Sequence, residues 1–212
     1  MLSQMDENAH DKEHIYRVLY TALEIAESEK DVDYDVLIAA CLLHDIGRKE
    51  QFDNPKLCHA RVGAEKAYKF LNENGFSQEF ANRVSACIDS HRFRGNNTPK
   101  SIEAKILFDA DKIDVCGTMG IARTLYYNST LGEPLYNLDE NRNVLRGEED
   151  KNASFFQEYK FKLEKVYERL YTDKGREIAN SRRKSAVDFY ENMLSETSEA
   201  YKSKNNLKNH IY

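Results

Sequence analysis

Apolar residues recur along this chain at intervals of three and four, the spacing of helices that bury one face. Between Asp11 and Lys30 the positions Ile15, Val18, Leu19, Ala22, Leu23, Ile25 and Ala26 follow it, with charged residues between them and Asp11 as a candidate N-cap. A second helix is predicted from Tyr34, capped by Asp33. It becomes continuously apolar from Leu37 to Leu43, as expected of a central helix, and Gly47 supplies its stop after His44-Asp45-Ile46. Arg48 to Leu57, punctuated by Pro55, reads as a loop. A third helix is predicted from about His59 to Glu73, with Val62, Ala64, Ala67, Phe70 and Leu71 inward and Asn74-Gly75 closing it. Ser77 caps a fourth, which turns Phe80, Val84, Cys87 and Ile88 inward and ends near His91. After the basic, Gly/Asn-rich loop from Arg92 to Pro99, a fifth begins near Ser101. It carries Ile102, Ile106, Leu107 and the run Asp109-Ala110-Asp111-Lys112.

Further on, Gly117 and Gly120 suit close helix packing, and helicity resumes to about Tyr127. Residues 128–152 are polar and contain Pro134 and two glycines, so they read as a long loop, of the kind that serves as a lid or an oligomer contact. From Ala153 the positions Phe156, Tyr159, Leu163, Val166 and Leu170 predict an amphipathic helix. A last helix runs from about Asp173 into the 190s on Ile178, Val187, Tyr190 and Leu194, and residues 201–212 are polar and basic and expected to fray. Three prolines and nine glycines are too few for a turn-rich β or βαβ architecture. The expectation is an all-α compact bundle forming one domain over 1–212: a core at about 10–127, the loop, and C-terminal helices at about 153–198.

Composition narrows the class. At 212 residues, 41% hydrophobic and 32% charged, the chain suits a globular protein with a sizeable core. A net charge of −5 argues against a protein that coats nucleic-acid backbones. It leaves room for a small anionic substrate, because a bound dication reverses the local sign of a site. The four cysteines form no C-x-x-C pair and read as buried free thiols. There is no signal-type stretch and no long apolar run, so the expected location is cytoplasmic, without a membrane partner.

The chemistry centres on His44-Asp45, at the end of the most apolar helix. A buried carboxylate left unpaired costs several kcal/mol, so a cation is the obvious compensation. Adjacent helical residues project about 100° apart, so both can grip one ion only near the helix end. Further ligands would come from His14, in the first turn of the first helix, and Asp111, in the apolar setting of Ile106, Leu107 and Phe108. Two imidazoles and two carboxylates suit an octahedral Mn²⁺, Fe²⁺, Co²⁺ or Ni²⁺, with Mg²⁺ also compatible. Such an ion acidifies water and withdraws charge from phosphorus. The same residues also fit a surface histidine, a helix-end hydrogen-bonding pair and a capping aspartate, so spacing does not establish the set.

The order of motifs does more. The chain reads H-D-K-E-H-I-Y-R-V (His10 to Val18), L-L-H-D-I-G-R (Leu42 to Arg48) and F-D-A-D-K-I-D (Phe108 to Asp114). Between them stand H-A-R-V-G-A (His59 to Ala64) and I-D-S-H-R-F (Ile88 to Phe93). Over roughly residues 10–127 this order resembles the HD-domain superfamily of metal-dependent phosphohydrolases, in its small bacterial branch. The resemblance implies a helical bundle in which His14, His44, Asp45 and Asp111 hold one divalent metal. It favours Asp111 over Asp109, which faces nearly the opposite side of the helix and would cap or pair. Asp114 would contact substrate, orient water or form a salt bridge. His59 and His91 would contact phosphate or act as acids; a structural role and a second metal are the alternatives. Arg17 could reach a phosphate or pair with Glu13 or Glu24. Arg48, Lys49 and Lys112 are candidate holders of a polyphosphate tail, and the loop from Arg92 to Gly95 is a candidate lip for a base-bearing ligand. The implied activity is hydrolysis of nucleotides, including triphosphates cleaved to monophosphate and pyrophosphate. A 5′-nucleotidase, a cyclic-nucleotide phosphodiesterase and a non-catalytic nucleotide sensor are the competitors, and a homodimer is an open expectation.

Overall fold

A computed structural model describes residues 12–92 and 97–204. Among these the only β pairing is an isolated antiparallel bridge between Leu138 and Val144, so the all-α expectation holds. The chain divides into two compact units, Met1–Asp114 with Leu170–Ile178, and Val115–Arg169 with Ala179–Tyr212.

The first unit contains α1 (Lys12–Ala26), α2 (Tyr34–Leu43), α3 (Arg48–Asp53), α4 (His59–Glu73), α5 (Gln78–Ser90) and α6 (Ile102–Ile113). It also takes in the opening of α9 (Asp173–Lys202). The caps predicted at Asp33 and Ser77 form, and Ser101, near which the fifth helix was expected to begin, caps it too: their side chains accept from the backbone N–H groups of Val36, Phe80 and Ala104, each at 3.2 Å. A cap of this kind is worth about 1 kcal/mol and fixes where the helix begins. Asp11, the N-cap expected of α1, lies outside the described residues, as do His10 and Phe93 to Gly95.

Helix α2 packs against α1, α5 and α6, with Val36, Leu37, Ala40 and Cys41 fully enclosed and Ile38, Ala39 and Leu42 half-buried. Its all-apolar sequence therefore marks a central helix with one side less covered. Helix α4 spans the residues expected of it, but Phe70 is exposed and Val62 half-buried; Ala60 and Gly63 take the inner face instead.

Two local expectations fail here for physical reasons. The stretch read as a loop contains α3, because Arg48 to Asp53 holds no helix breaker before Pro55. Gly47 also does not stop α2 by a left-handed turn, since its φ is −95°. It is glycine because α4 passes against it: a Cβ there would lie 2.4 Å from the His59 carbonyl oxygen and 2.6 Å from the Gly63 nitrogen. That contact brings the ends of α2 and α4 together.

The second unit contains α7 (Gly117–Thr130), α8 (Phe155–Glu158) and the remainder of α9. Gly117 has φ +66°, and a Cβ on it would lie 2.7 Å from Arg182 Cβ, so α7 and α9 do approach closely at a glycine. The core gathers Ile121, Phe155, Phe156, Tyr159, Leu163, Ala186, Tyr190 and Leu194, with the Tyr159 and Tyr190 rings stacked at 4.2 Å. Val187, expected in the apolar stripe, is partly exposed. The single helix expected from Ala153 is broken: α8 passes into a π turn (Tyr159–Leu163), then a 3-10 turn (Val166–Glu168). Apolar periodicity reports which side is buried, not the hydrogen-bond register, and the same side faces inward through all three. Helix α7 runs three residues past the expected Tyr127, and the segment after it is irregular. That segment is pinned by Phe155 N–H to the Pro134 carbonyl (3.0 Å) and by the Tyr190 hydroxyl to the Arg146 carbonyl (2.7 Å). Helix α9 continues to Lys202, so Tyr201 and Lys202 are helical rather than frayed.

All four cysteines are free; Cys41, Cys87 and Cys116 are buried and Cys58 is half-buried. No described helix is long and apolar enough to cross a membrane.

Candidate metal centre

Helix ends of the first unit deliver the polar side chains that its core would otherwise exclude. His14 stands in the first turn of α1, His44 caps the C-terminus of α2 with Asp45 after it, and Asp111 lies in the last turn of α6. His59 opens α4 and His91 caps the end of α5. All six are buried.

The structure brings His14, His44, Asp45 and Asp111 together. His14 Nε2 lies 3.3 Å from His44 Nε2, 3.5 Å from Asp45 Oδ2 and 3.5 Å from Asp111 Oδ1, and His44 Nε2 lies 3.7 Å from Asp45 Oδ2. The outer nitrogens explain what faces inward. His14 Nδ1 donates to Asp114 Oδ2 at 2.8 Å, and His44 Nδ1 donates to the Cys41 carbonyl at 2.8 Å. Burial pushes the His44 ring below its ordinary pKa, so it is neutral. A neutral imidazole carries one proton, and with it on Nδ1 the His44 Nε2 presents its lone pair to the cluster. That lone pair, His14 Nε2 and the Asp45 and Asp111 carboxylates lie together, an arrangement that suits a cation. The donor set and its outer hydrogen bonds therefore fit a divalent metal.

Burial alone would raise the Asp111 carboxyl, but the opposing positive charge, that of Lys112 first, holds the group well below the usual range. Lys112 donates to Asp111 Oδ2 at 2.6 Å and to the His91 carbonyl at 3.3 Å, and its ammonium stands 5.1 Å from the Phe108 ring centroid. Asp109 points elsewhere. It accepts from the Tyr171 and Thr172 backbone N–H groups and the Thr172 hydroxyl, tying the segment before α9 to α6. Burial raises its pKa despite those bonds.

Asp114 and Arg17 form the rear support. Arg17 Nε donates to Asp114 Oδ1 at 2.8 Å and Nη2 to Oδ2 at 3.1 Å, while the same Oδ2 holds His14.

A second triad shares Asp45. His59 Nε2 and His91 Nε2 lie 3.6 and 3.9 Å from Asp45 Oδ1 and 3.2 Å from each other. Among the described residues His14-His44-Asp45 and Asp45-His59-His91 both have the spacing of metal-binding groups. Burial, then the Arg48 charge, pushes His59 down to about 2; burial, then His44, pushes His91 down to about 3. Arg48 Nε donates to Asp45 Oδ1 at 2.9 Å, on the edge that faces the second triad. Lys49 is exposed.

Gln51 is the residue that sequence reasoning missed. Its side-chain amide lies 2.7 Å from His59 Nδ1 and between Arg48 and Arg92. The one hint was the absence of a helix breaker before Pro55; no apolar stripe marks α3, which places Gln51 one turn after Arg48.

The bundle and its His/Asp cluster define a class: the chain belongs to the HD-domain family, whose model matches residues 12–116. YpgQ of Bacillus subtilis is 30% identical over 188 residues, 87% of this chain and 82% of that protein. A crystal structure of Bacillus subtilis YpgQ in complex with ADP superposes with a TM-score of 0.69 at 26% identity, covering 90% of this chain and 91% of that one. A protein from an uncultured Thermotogales bacterium, described as a predicted HD superfamily hydrolase, has a TM-score of 0.59 at 32% identity over 90% and 83% of the two chains.

Proposed function

We propose that this chain is a divalent-metal-dependent phosphohydrolase acting on nucleotides, with one ion held by His14, His44, Asp45 and Asp111. The observation that carries this is the convergence of the buried His14 and His44 Nε2 atoms, 3.3 Å apart, with a carboxylate oxygen of Asp45 and of Asp111 each 3.5 Å from His14. A nucleotide substrate is supported by likeness to YpgQ, which has been crystallised with ADP. Bound here, Mn²⁺, Fe²⁺, Co²⁺, Ni²⁺ or Mg²⁺ supplies Lewis acidity, polarising a phosphoryl oxygen and lowering the pKa of water.

The chain's own residues do the rest. The Asp114 carboxylate and the Cys41 carbonyl hold the two ligating rings in one tautomer and one orientation. Asp45 divides its labour: Oδ2 faces His14 and His44, and Oδ1 is held by Arg48. Arg48 and Lys112 place positive charge beside the site, where it stabilises negative charge developing on the phosphoryl group. His59 and His91, neutral and buried, are positioned to hydrogen-bond a phosphate oxygen or the leaving group. The burial of these ligands strengthens the electrostatic interactions among them.

The test couples metal content to turnover. Protein purified without chelator is assayed by mass spectrometry for metals, then against nucleoside mono-, di-, tri- and cyclic phosphates with each metal, with His44→Ala alongside. Metal and product from wild type only is the expected result, and the product identifies the bond cleaved: pyrophosphate, orthophosphate or a linear nucleotide. Nucleotide bound with metal but never turned over would assign the chain to a sensor instead. Wild type that takes up no metal would refute the centre.

A further inference from the structure

The two triads sharing Asp45 match in composition and differ in their outer partners. In the first, both Nδ1 atoms face oxygens that can only accept, Asp114 Oδ2 and the Cys41 carbonyl. In the second, His91 is fixed the same way, by the Ile88 carbonyl 2.6 Å from its Nδ1. His59 is not. Its Nδ1 faces the Gln51 amide at 2.7 Å, and an amide can present either its oxygen or its NH2.

Arg92 decides which. With the amide oxygen toward His59, it can accept from His59 Nδ1 at 2.7 Å and from Arg48 at 3.3 Å, but the Arg92 guanidinium meets the NH2, donor against donor. With the amide turned over, the NH2 donates to His59 Nδ1 at 2.7 Å and the oxygen accepts from Arg92 Nη1 at 2.8 Å and Nη2 at 3.3 Å. The second arrangement satisfies more groups. His59 Nδ1 is then an acceptor, and the ring's proton sits on Nε2. His91 leads to the same position: its own Nε2 is bare, so the 3.2 Å contact between the two Nε2 atoms is a hydrogen bond only if His59 donates it.

We propose that Gln51 is a positioning residue that keeps the His59 proton on Nε2, making the Asp45-His59-His91 triad a hydrogen-bond donor to substrate rather than a second metal site. The proposal rests on reading the first triad as the metal centre. A protonated Nε2 has no lone pair to give a cation, and Arg48 already occupies Asp45 Oδ1. An entering phosphate oxygen can instead take the His59 Nε2–H bond from His91. Glutamate at position 51 would reverse this. A carboxylate only accepts, so it would draw the proton to Nδ1 and leave the His59 and His91 Nε2 lone pairs 3.2 Å apart beside Asp45 Oδ1, open to a cation.

The experiment reads proton position and ion count separately. Long-range ¹H–¹⁵N spectra of histidine-labelled, metal-free wild type, assigned with His59→Gln, report each ring's tautomer. His59 is expected as Nε2–H and His14, His44 and His91 as Nδ1–H. After loading with Mn²⁺ and desalting, wild type is expected to retain one ion per chain and Gln51→Glu two. An Nδ1–H pattern for His59 in wild type, two ions in wild type, or a single ion in folded Gln51→Glu would each overturn the proposal. If Gln51→Glu does not fold, the wild-type tautomer and ion count still decide. A wild type that binds no ion would sink the metal centre itself, while the tautomer pattern would still judge the role of Gln51.

Discussion

Replacing Asp114 with asparagine should weaken metal binding without touching a ligand. Asp114 Oδ2 takes His14 Nδ1–H at 2.8 Å and Arg17 Nη2 at 3.1 Å, and Oδ1 takes Arg17 Nε at 2.8 Å. Asparagine can keep an oxygen toward His14, but its NH2 then meets Arg17 Nε donor to donor, so Arg17 leaves. What His14 keeps is a neutral hydrogen bond in place of a charge-assisted one. Charged partners contribute about 1.5–3 kcal/mol against about 0.5–1.5 for neutral ones. The difference of about 1–1.5 kcal/mol corresponds to roughly tenfold in affinity. That lies at the lower edge of the roughly 10–100-fold losses expected when the partner of a ligating histidine is removed. Asp114→Ala, which frees the ring to rotate and to change tautomer, should approach the upper edge. Titration calorimetry of Mn²⁺ into metal-free protein measures both. The Arg17 side chain is one-third exposed, so loss of its ion pair costs under about 1 kcal/mol and should lower the metal-free melting temperature by only a few degrees. Folded variants that bind Mn²⁺ within about threefold of wild type would refute the coupling.

Two further predictions concern stability. Gly47→Ala places a Cβ 2.4 Å from the His59 carbonyl oxygen, overpacking the α2–α4 contact by about 1–3 kcal/mol, and calorimetry should show a lower melting temperature; an unchanged one would contradict the close approach. Asp33→Ala removes the α2 cap and the ion pair with Arg83, at a cost of about 0.5–2 kcal/mol at neutral pH. The Val36 N–H, helped by Arg83 against slight burial, holds the Asp33 carboxyl below its usual pKa. Its contribution is therefore present above the unfolded carboxylate pKa of about 3.9 and lost as pH falls through the lower folded value. Urea unfolding of wild type and variant should converge in acid, and a gap independent of pH would show that ionised Asp33 is not the source.

Much of the first unit was legible residue by residue. Caps at Asp33 and Ser77, the start of α6 near Ser101 and the bounds of α4 follow from local chemistry, because a side-chain oxygen two or three residues from an orphan N–H needs no distant partner. The continuous apolar run of α2 announced a helix packed against several others. The break of the stretch after Ala153 into α, π and 3-10 turns was not legible, since all three bury the same side. Nor was α3, whose short run lacks an apolar stripe to signal it. The metal set was legible as an order of motifs and undetermined as geometry.

By itself the sequence determined the helical class, the positions of the caps, and the four residues His14, His44, Asp45 and Asp111 as a set worth testing. Only the tertiary structure decided which way each polar group faces. It turned Asp109 to the segment before α9, set Asp114 behind His14 across 100 residues of chain, and put Gln51 against His59. The reason is physical: a helix periodicity is written in neighbours three and four apart, whereas the proton on an imidazole is placed by whichever donor or acceptor the packing of other helices brings to its far nitrogen.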